Sequence, residues 1–100
     1  MMLKQGVHIY GINIQMRQAI IQADKIYRKY GQPEGVTITS ALDGIHSPRS
    51  LHYYGLAIDI RTRHLSSEEL SSVFEELNIT LSPQYDVILE SDHIHIEAKL

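Results

Sequence analysis

Ile12, Met16, Ala19, Ile20, Ala23, Ile26, Tyr27 and Tyr30 recur every third or fourth position with Gln, Arg and Lys between them. That spacing predicts an amphipathic helix over residues 13–30. Gly31, Pro33 and Gly35 end it. Val36-Thr37-Ile38-Thr39-Ser40 alternates apolar with polar and is β-branched, which predicts a strand. A loop follows, from Asp43 to about Arg49. Leu56 to Arg61 reads as a second strand, with Leu56, Ile58 and Ile60 on one face and Ala57, Asp59 and Arg61 on the other. Ser66-Ser67-Glu68-Glu69 matches a capping box, and Leu70, Val73, Phe74 and Leu77 supply the buried stripe of a helix that runs to about Asn78. Tyr85 to Glu90 and His93 to Ala98 read as two final strands joined by a tight hairpin or a bulged bend. The order helix, strand, strand, helix, strand, strand, with short links, predicts an α+β domain: a small, mainly antiparallel sheet with helices packed on one face.

One hundred residues leave room for one core, so residues 1–100 are expected to form a single domain. Nine Lys and Arg against twelve Asp and Glu give a formal charge of -3, with the basic residues scattered. This balance argues against nucleic acid or an anionic membrane surface as the main partner. The first residues lack the apolar core of a signal peptide, and no stretch approaches the roughly 18 apolar residues of a membrane span. Neither secretion by a leader nor membrane insertion is expected. The absence of cysteine excludes a disulfide framework, a thiolate zinc site, an iron–sulfur cluster and a cysteine nucleophile. Six histidines are the outstanding feature of the composition.

Those histidines fall into a chemical pattern. His52 and Asp59 lie seven residues apart, flanking Gly55 and leading into a strand whose polar face carries Asp59. His93, His95 and Glu97 share one face of the last strand, and Ile94, Ile96 and Ala98 share the other. Two imidazoles and a carboxylate form the ligand set of a catalytic zinc site, whose fourth position stays open for water. Zinc lowers the pKa of that water toward 7 and polarises a carbonyl, which is hydrolytic chemistry. A carboxylate must still take the proton, and Glu90 and Asp92 stand within a few residues of His95.

Ser50-Leu51-His52-Tyr53-Tyr54-Gly55-Leu56-Ala57-Ile58-Asp59 fills every fixed position of the S-x-H-x-x-G-x-A-x-D signature. In this it resembles the zinc D-Ala-D-Ala carboxypeptidase and L-Ala-D-Glu endopeptidase family. His93-Ile94-His95 resembles the H-x-H near the end of that family. The segment from Asp43 to Gly55, and Tyr85 to Ser91, are also similar to the hedgehog signalling domain, which shares the fold and its zinc site. The resemblance covers residues 36–98.

The resemblance implies the hedgehog/DD-peptidase fold and one zinc ion per chain, held by His52, Asp59 and His95. It implies hydrolysis of a peptide bond in peptidoglycan stem peptides by zinc-activated water. His46 would polarise the scissile carbonyl or its oxyanion, and His93 would face the substrate. The hedgehog-like alignment points to Glu90 as the base, which is the first choice, while other branches of the family place an acid three residues before the last ligand, here Asp92, which stays open. The family's substrate-carboxylate Arg, after a Thr-Ser strand end, is missing after Thr39-Ser40, and Arg49 or Arg61 is the replacement. The chain also lacks a wall-binding domain and the acidic calcium cluster of hedgehog proteins, so calcium is not expected. A small phage or bacterial product that meets the wall after lysis or in a virion fits this picture.

Two other readings use the same residues: a non-catalytic zinc-binding module of the hedgehog kind, and a virion structural protein on the same fold. His8 and His64 fall in no motif and read as surface residues, Tyr53 and Tyr54 as packing residues, and Ser50 as a support for the loop rather than a nucleophile.

Overall fold

The computed structural model describes residues 1–41 and 55–99. The expected loop from Asp43 to Arg49 lies outside them. The elements are β1 (Met2–Leu3), α1 (Ile14–Lys29), β2 (Thr37–Ser40), β3 (Ala57–Arg61), α2 (Ser67–Leu81), β4 (Tyr85–Leu89) and β5 (His93–Ala98). Together they make an α+β domain with two helices and one five-stranded sheet, in the order β1-β2-β3-β5-β4.

The side chain of Asn13 caps α1 by accepting the Gln15 N–H at 2.9 Å, satisfying one of the donors a helix start leaves free. Met16, Ala19, Ile20, Ala23, Ile26 and Tyr27 form its buried stripe, and Gly31 at φ 87° turns the chain out of it. At the start of α2 the capping box is complete. The Glu69 N–H donates to Ser66 Oγ at 3.1 Å, and the Ser66 N–H donates to the Glu69 carboxylate at 2.8 Å. This helix runs three residues past the expected end at Asn78, because Leu81 continues the buried row of Val73 and Leu77. Pro83 lies just beyond the end, and the residue before a proline disfavours helical geometry.

Two features of the sheet differ from the expectation. Met2 and Leu3 add a strand, parallel to β2, through Met2 N–H to Val36 O at 2.8 Å and Lys4 N–H to Ile38 O at 2.9 Å. The sheet is therefore mixed, and with its other strand pairs antiparallel it is mainly antiparallel, as expected. Both residues of β1 are exposed, so no period-two signal marks it. Of the two connections expected between β4 and β5 the tight hairpin forms, and an unexpected irregularity lies between β2 and β3. There the register shifts between Ile38 and Ser40, so that Ile38 pairs with Ile60 while Ser40 pairs with Asp59. The β4–β5 hairpin pairs regularly to Leu89↔Ile94 and closes with Glu90 N–H donating to His93 O at 2.9 Å.

Burial alternates along β5, where Ile94, Ile96 and Ala98 are buried and His93, His95 and Glu97 are half-buried. With Ile38, Ile58 and Ile60 they share one core with the stripes of both helices. One face of the sheet is thus committed to the helices. The other carries the polar residues of β3 and β5, and any site on this sheet must use that face.

Candidate functional site

Antiparallel pairing sets Asp59 opposite His95, Arg61 opposite His93 and Ala57 opposite Glu97. Directly opposed residues project from the same face with their Cβ atoms about 5 Å apart, so the strand register itself assembles the cluster.

His95 Nδ1–H donates to Asp59 Oδ1 at 2.8 Å, and His95 Nε2–H donates to Glu97 Oε1 at 2.8 Å. A carboxylate can only accept, so a ring donating from both nitrogens is the imidazolium. The Asp59 hydrogen bond raises the pKa of His95 above its ordinary value, desolvation opposes the rise, and the Glu97 bond adds to it. The side chains of Asp59 and His95 keep 15% and 18% of their surface exposed, which leaves them reachable yet largely shielded from water. His93 bridges outward: its Nδ1–H donates to Asp92 Oδ1 at 2.6 Å, and its Nε2 stands 3.6 Å from Asp59 Oδ1. Asp59 Oδ1 is the atom on which the two imidazoles converge.

These positions can be compared with what zinc requires. Bonds of about 2.0–2.1 Å in a tetrahedron set neighbouring ligand atoms about 3.3–3.4 Å apart. The Asp59–His95 separation of 2.8 Å and the Asp59–His93 separation of 3.6 Å lie on either side of that value. The nitrogen–oxygen donor set is also one that zinc accepts. Among the described residues no three His, Asp or Glu side chains form a group arranged to hold a metal. His52, the third ligand implied by the resemblance, lies outside the described residues, as do His46 and Arg49.

The two base candidates are placed differently. Asp92 lines a cleft of about 270 Å³ together with Thr39, Ser40, Asp59, Arg61 and His93. Glu90 is exposed in the hairpin and is not among the described residues lining that cleft. A larger open cleft of about 760 Å³ lies beside the histidine pair rather than at it, and shares Lys4, Arg61 and Arg63 with the smaller one. His64 lines the larger cleft, where desolvation and the nearby Arg61 and Arg63 lower its pKa.

Two supports for this face were not visible in the sequence. The buried Tyr27 of α1 donates its hydroxyl to Arg61 O at 2.8 Å, anchoring the end of β3 to the helix. Gly55, from the signature segment, takes φ +69°, and a Cβ there would stand 3.1 Å from both Asn13 N and Gly11 O. Its carbonyl accepts the Asn13 N–H at 3.0 Å, so the approach to β3 is held against the start of α1. The signature's glycine therefore has a backbone reason as well as a place in a motif.

Comparison with protein-family models, curated proteins and solved structures finds no match to this chain. Among the described residues no helix is long and apolar enough to cross a membrane.

Proposed function

We propose that this chain is a zinc-dependent metallopeptidase that hydrolyses a peptide bond in peptidoglycan stem peptides, built on the hedgehog/DD-peptidase fold. The observation that carries the reading is the contact between Asp59 and His95. These are two of the three ligands implied by the resemblance, and strand register brings them into contact on the sheet face that the helices leave open. His52, Asp59 and His95 would hold the ion. When bound there, zinc supplies a Lewis acid that lowers the pKa of water toward 7 and polarises the substrate carbonyl.

The protein's own residues do the rest. Asp92, which lines the same cleft as Asp59, accepts the proton of the attacking water and passes it to the leaving amine. His93, hydrogen-bonded to Asp92, fixes the orientation of that carboxylate and faces the substrate. Glu90 is the alternative base. His46 polarises the carbonyl, as the resemblance implies, and Arg49 or Arg61 stands in for the family's substrate-carboxylate Arg.

A non-catalytic zinc module uses the same ligands, and in either reading one His95 nitrogen must release its proton and its carboxylate partner to bind the ion. Base substitution separates the two readings. Asp92→Asn in the zinc-loaded chain should abolish release of peptides from purified peptidoglycan while leaving zinc stoichiometry intact. Zinc binding with no hydrolysis by any form of the chain supports the non-catalytic module.

A further inference from the structure

The two clefts on the open side of the sheet share three cations. Lys4 follows β1, Arg61 ends β3, and Arg63 lies two residues further on. Because both clefts are lined by all three, they form one trough that starts at Asp59 and His93 and runs past the end of β3 toward β1. Around the larger cleft Lys4, Arg61 and Arg63 outnumber Glu34, a local reversal of sign in a chain of net charge -3. Elsewhere, Arg28, Lys29 and Lys99 each pair with a carboxylate. Among the described residues no carboxylate pairs with Lys4, Arg61 or Arg63, although Asp59, Asp92 and Glu34 line the same walls. The larger cleft, lined by Glu34 as its one carboxylate among the described residues, therefore keeps an excess of positive charge.

The trough also reaches a sheet edge. β1 is the terminal strand, paired to β2 alone among the described residues, and Met2, Leu3, Lys4 and Gln5 line the larger cleft. A terminal strand offers unpaired backbone donors and acceptors to an extended chain, and this is how sheets capture peptides. Three cations where the clefts meet suit several negative groups on one ligand better than a single anion, because each charge-assisted bond needs its own acceptor.

We infer that this trough binds an extended acidic peptide segment, its carboxylates on Arg61, Arg63 and Lys4 and its backbone along β1. A peptide fits better than a nucleic acid: the strand edge recognises amide groups, and the chain's overall charge opposes a dense polyanion. None of the residues used is a proposed metal ligand or base, and binding is read without metal. Failure of this inference therefore leaves the hydrolytic reading standing, and failure of hydrolysis leaves the trough standing.

The test is fluorescence anisotropy of the full chain, without added zinc, against a labelled peptide of alternating Glu and Gly. Its Gln counterpart and an oligothymidylate of equal length are the competing probes. The Glu peptide should bind and the Gln peptide should not. The double variant Arg61→Gln, Arg63→Gln should weaken binding about tenfold or more, as should Arg63→Gln alone to a smaller degree; Arg63 is exposed, so that variant keeps its fold. Arg17→Gln with Lys25→Gln, on the exposed side of α1, should leave binding unchanged. Equal binding of the Glu and Gln peptides overturns the inference, as does equal weakening by the α1 variant. Tighter binding of the oligothymidylate overturns the assignment to a peptide.

Discussion

Asp59 and His95 are cross-strand partners on β3 and β5, and Asp59 Oδ1 accepts the His95 Nδ1–H at 2.8 Å on the sheet face that carries no helix. The other ring nitrogen is held by Glu97 on the same strand as His95. An imidazole clamped in this way has little rotational freedom, so the nitrogen turned toward Asp59 is presented in one direction. If His95 ligates through Nδ1, its Nε2–H stays on Glu97, the arrangement in which an outer carboxylate orients a metal-binding histidine.

Removing either member of the pair should remove the metal. His95→Ala and Asp59→Ala are expected to weaken zinc binding by more than about 100-fold, read by competitive titration against a chromogenic chelator. Retention of near-native affinity by both variants would show that neither is a ligand.

Glu97→Gln should have a smaller effect. An amide still accepts a hydrogen bond from Nε2–H but carries no charge, so zinc affinity is expected to fall by about 10–100-fold without a change in stoichiometry. Complete loss of zinc from this variant would make Glu97 a ligand and Asp59 the orienting group.

Much of the framework was legible in the sequence because it rests on periodicity. The stripe of α1, the Ser66–Glu69 box and the alternation of β5 appear in the structure close to where the pattern puts them. β1 could not be read, because two exposed residues bury nothing and their role is to pair backbones with β2. Within the site, the pairing of Asp59 with His95 follows from register, and register was hidden until the order β3-β5-β4 was known. Lys4 lies 57 residues from Arg61 and carries no motif, so its place in the trough comes from parallel pairing alone.

Gly55 ties the signature segment to α1. Gly55→Ala forces a side chain into positive φ and against the backbone at Gly11 and Asn13. The expected cost is about 2 kcal/mol, a fall in melting temperature of about 8 °C or more for a domain of this size. A variant that melts with the wild type would show that this backbone approach contributes no stability.

Asp24 gives the fold a dependence on acid. Burial tends to raise its pKa, but hydrogen bonds from Arg28 and the Val36 N–H, together with the Met1 amino group, hold it below 3.8. Arg28 Nε donates at 2.9 Å and the Val36 N–H at 3.0 Å, so the carboxylate links α1 to the start of β2. A depressed folded-state pKa contributes stability above the unfolded value, and that contribution is lost as pH falls through the folded value. Asp24→Asn should therefore cost about 1 kcal/mol at pH 7, and urea midpoints of variant and wild type should converge as pH falls through the lowered folded-state value. A gap that persists unchanged in acid would contradict the linkage.

Zinc-dependent hydrolysis is the activity proposed for this sheet face. It is tested most directly by incubating the zinc-loaded chain with purified peptidoglycan and identifying released fragments by mass spectrometry, with Asp59→Ala and Asp92→Asn in parallel. Stem-peptide fragments cut at one kind of bond are expected from the wild type and none from either variant. A wild-type chain that binds one zinc ion and releases no peptide would contradict that activity.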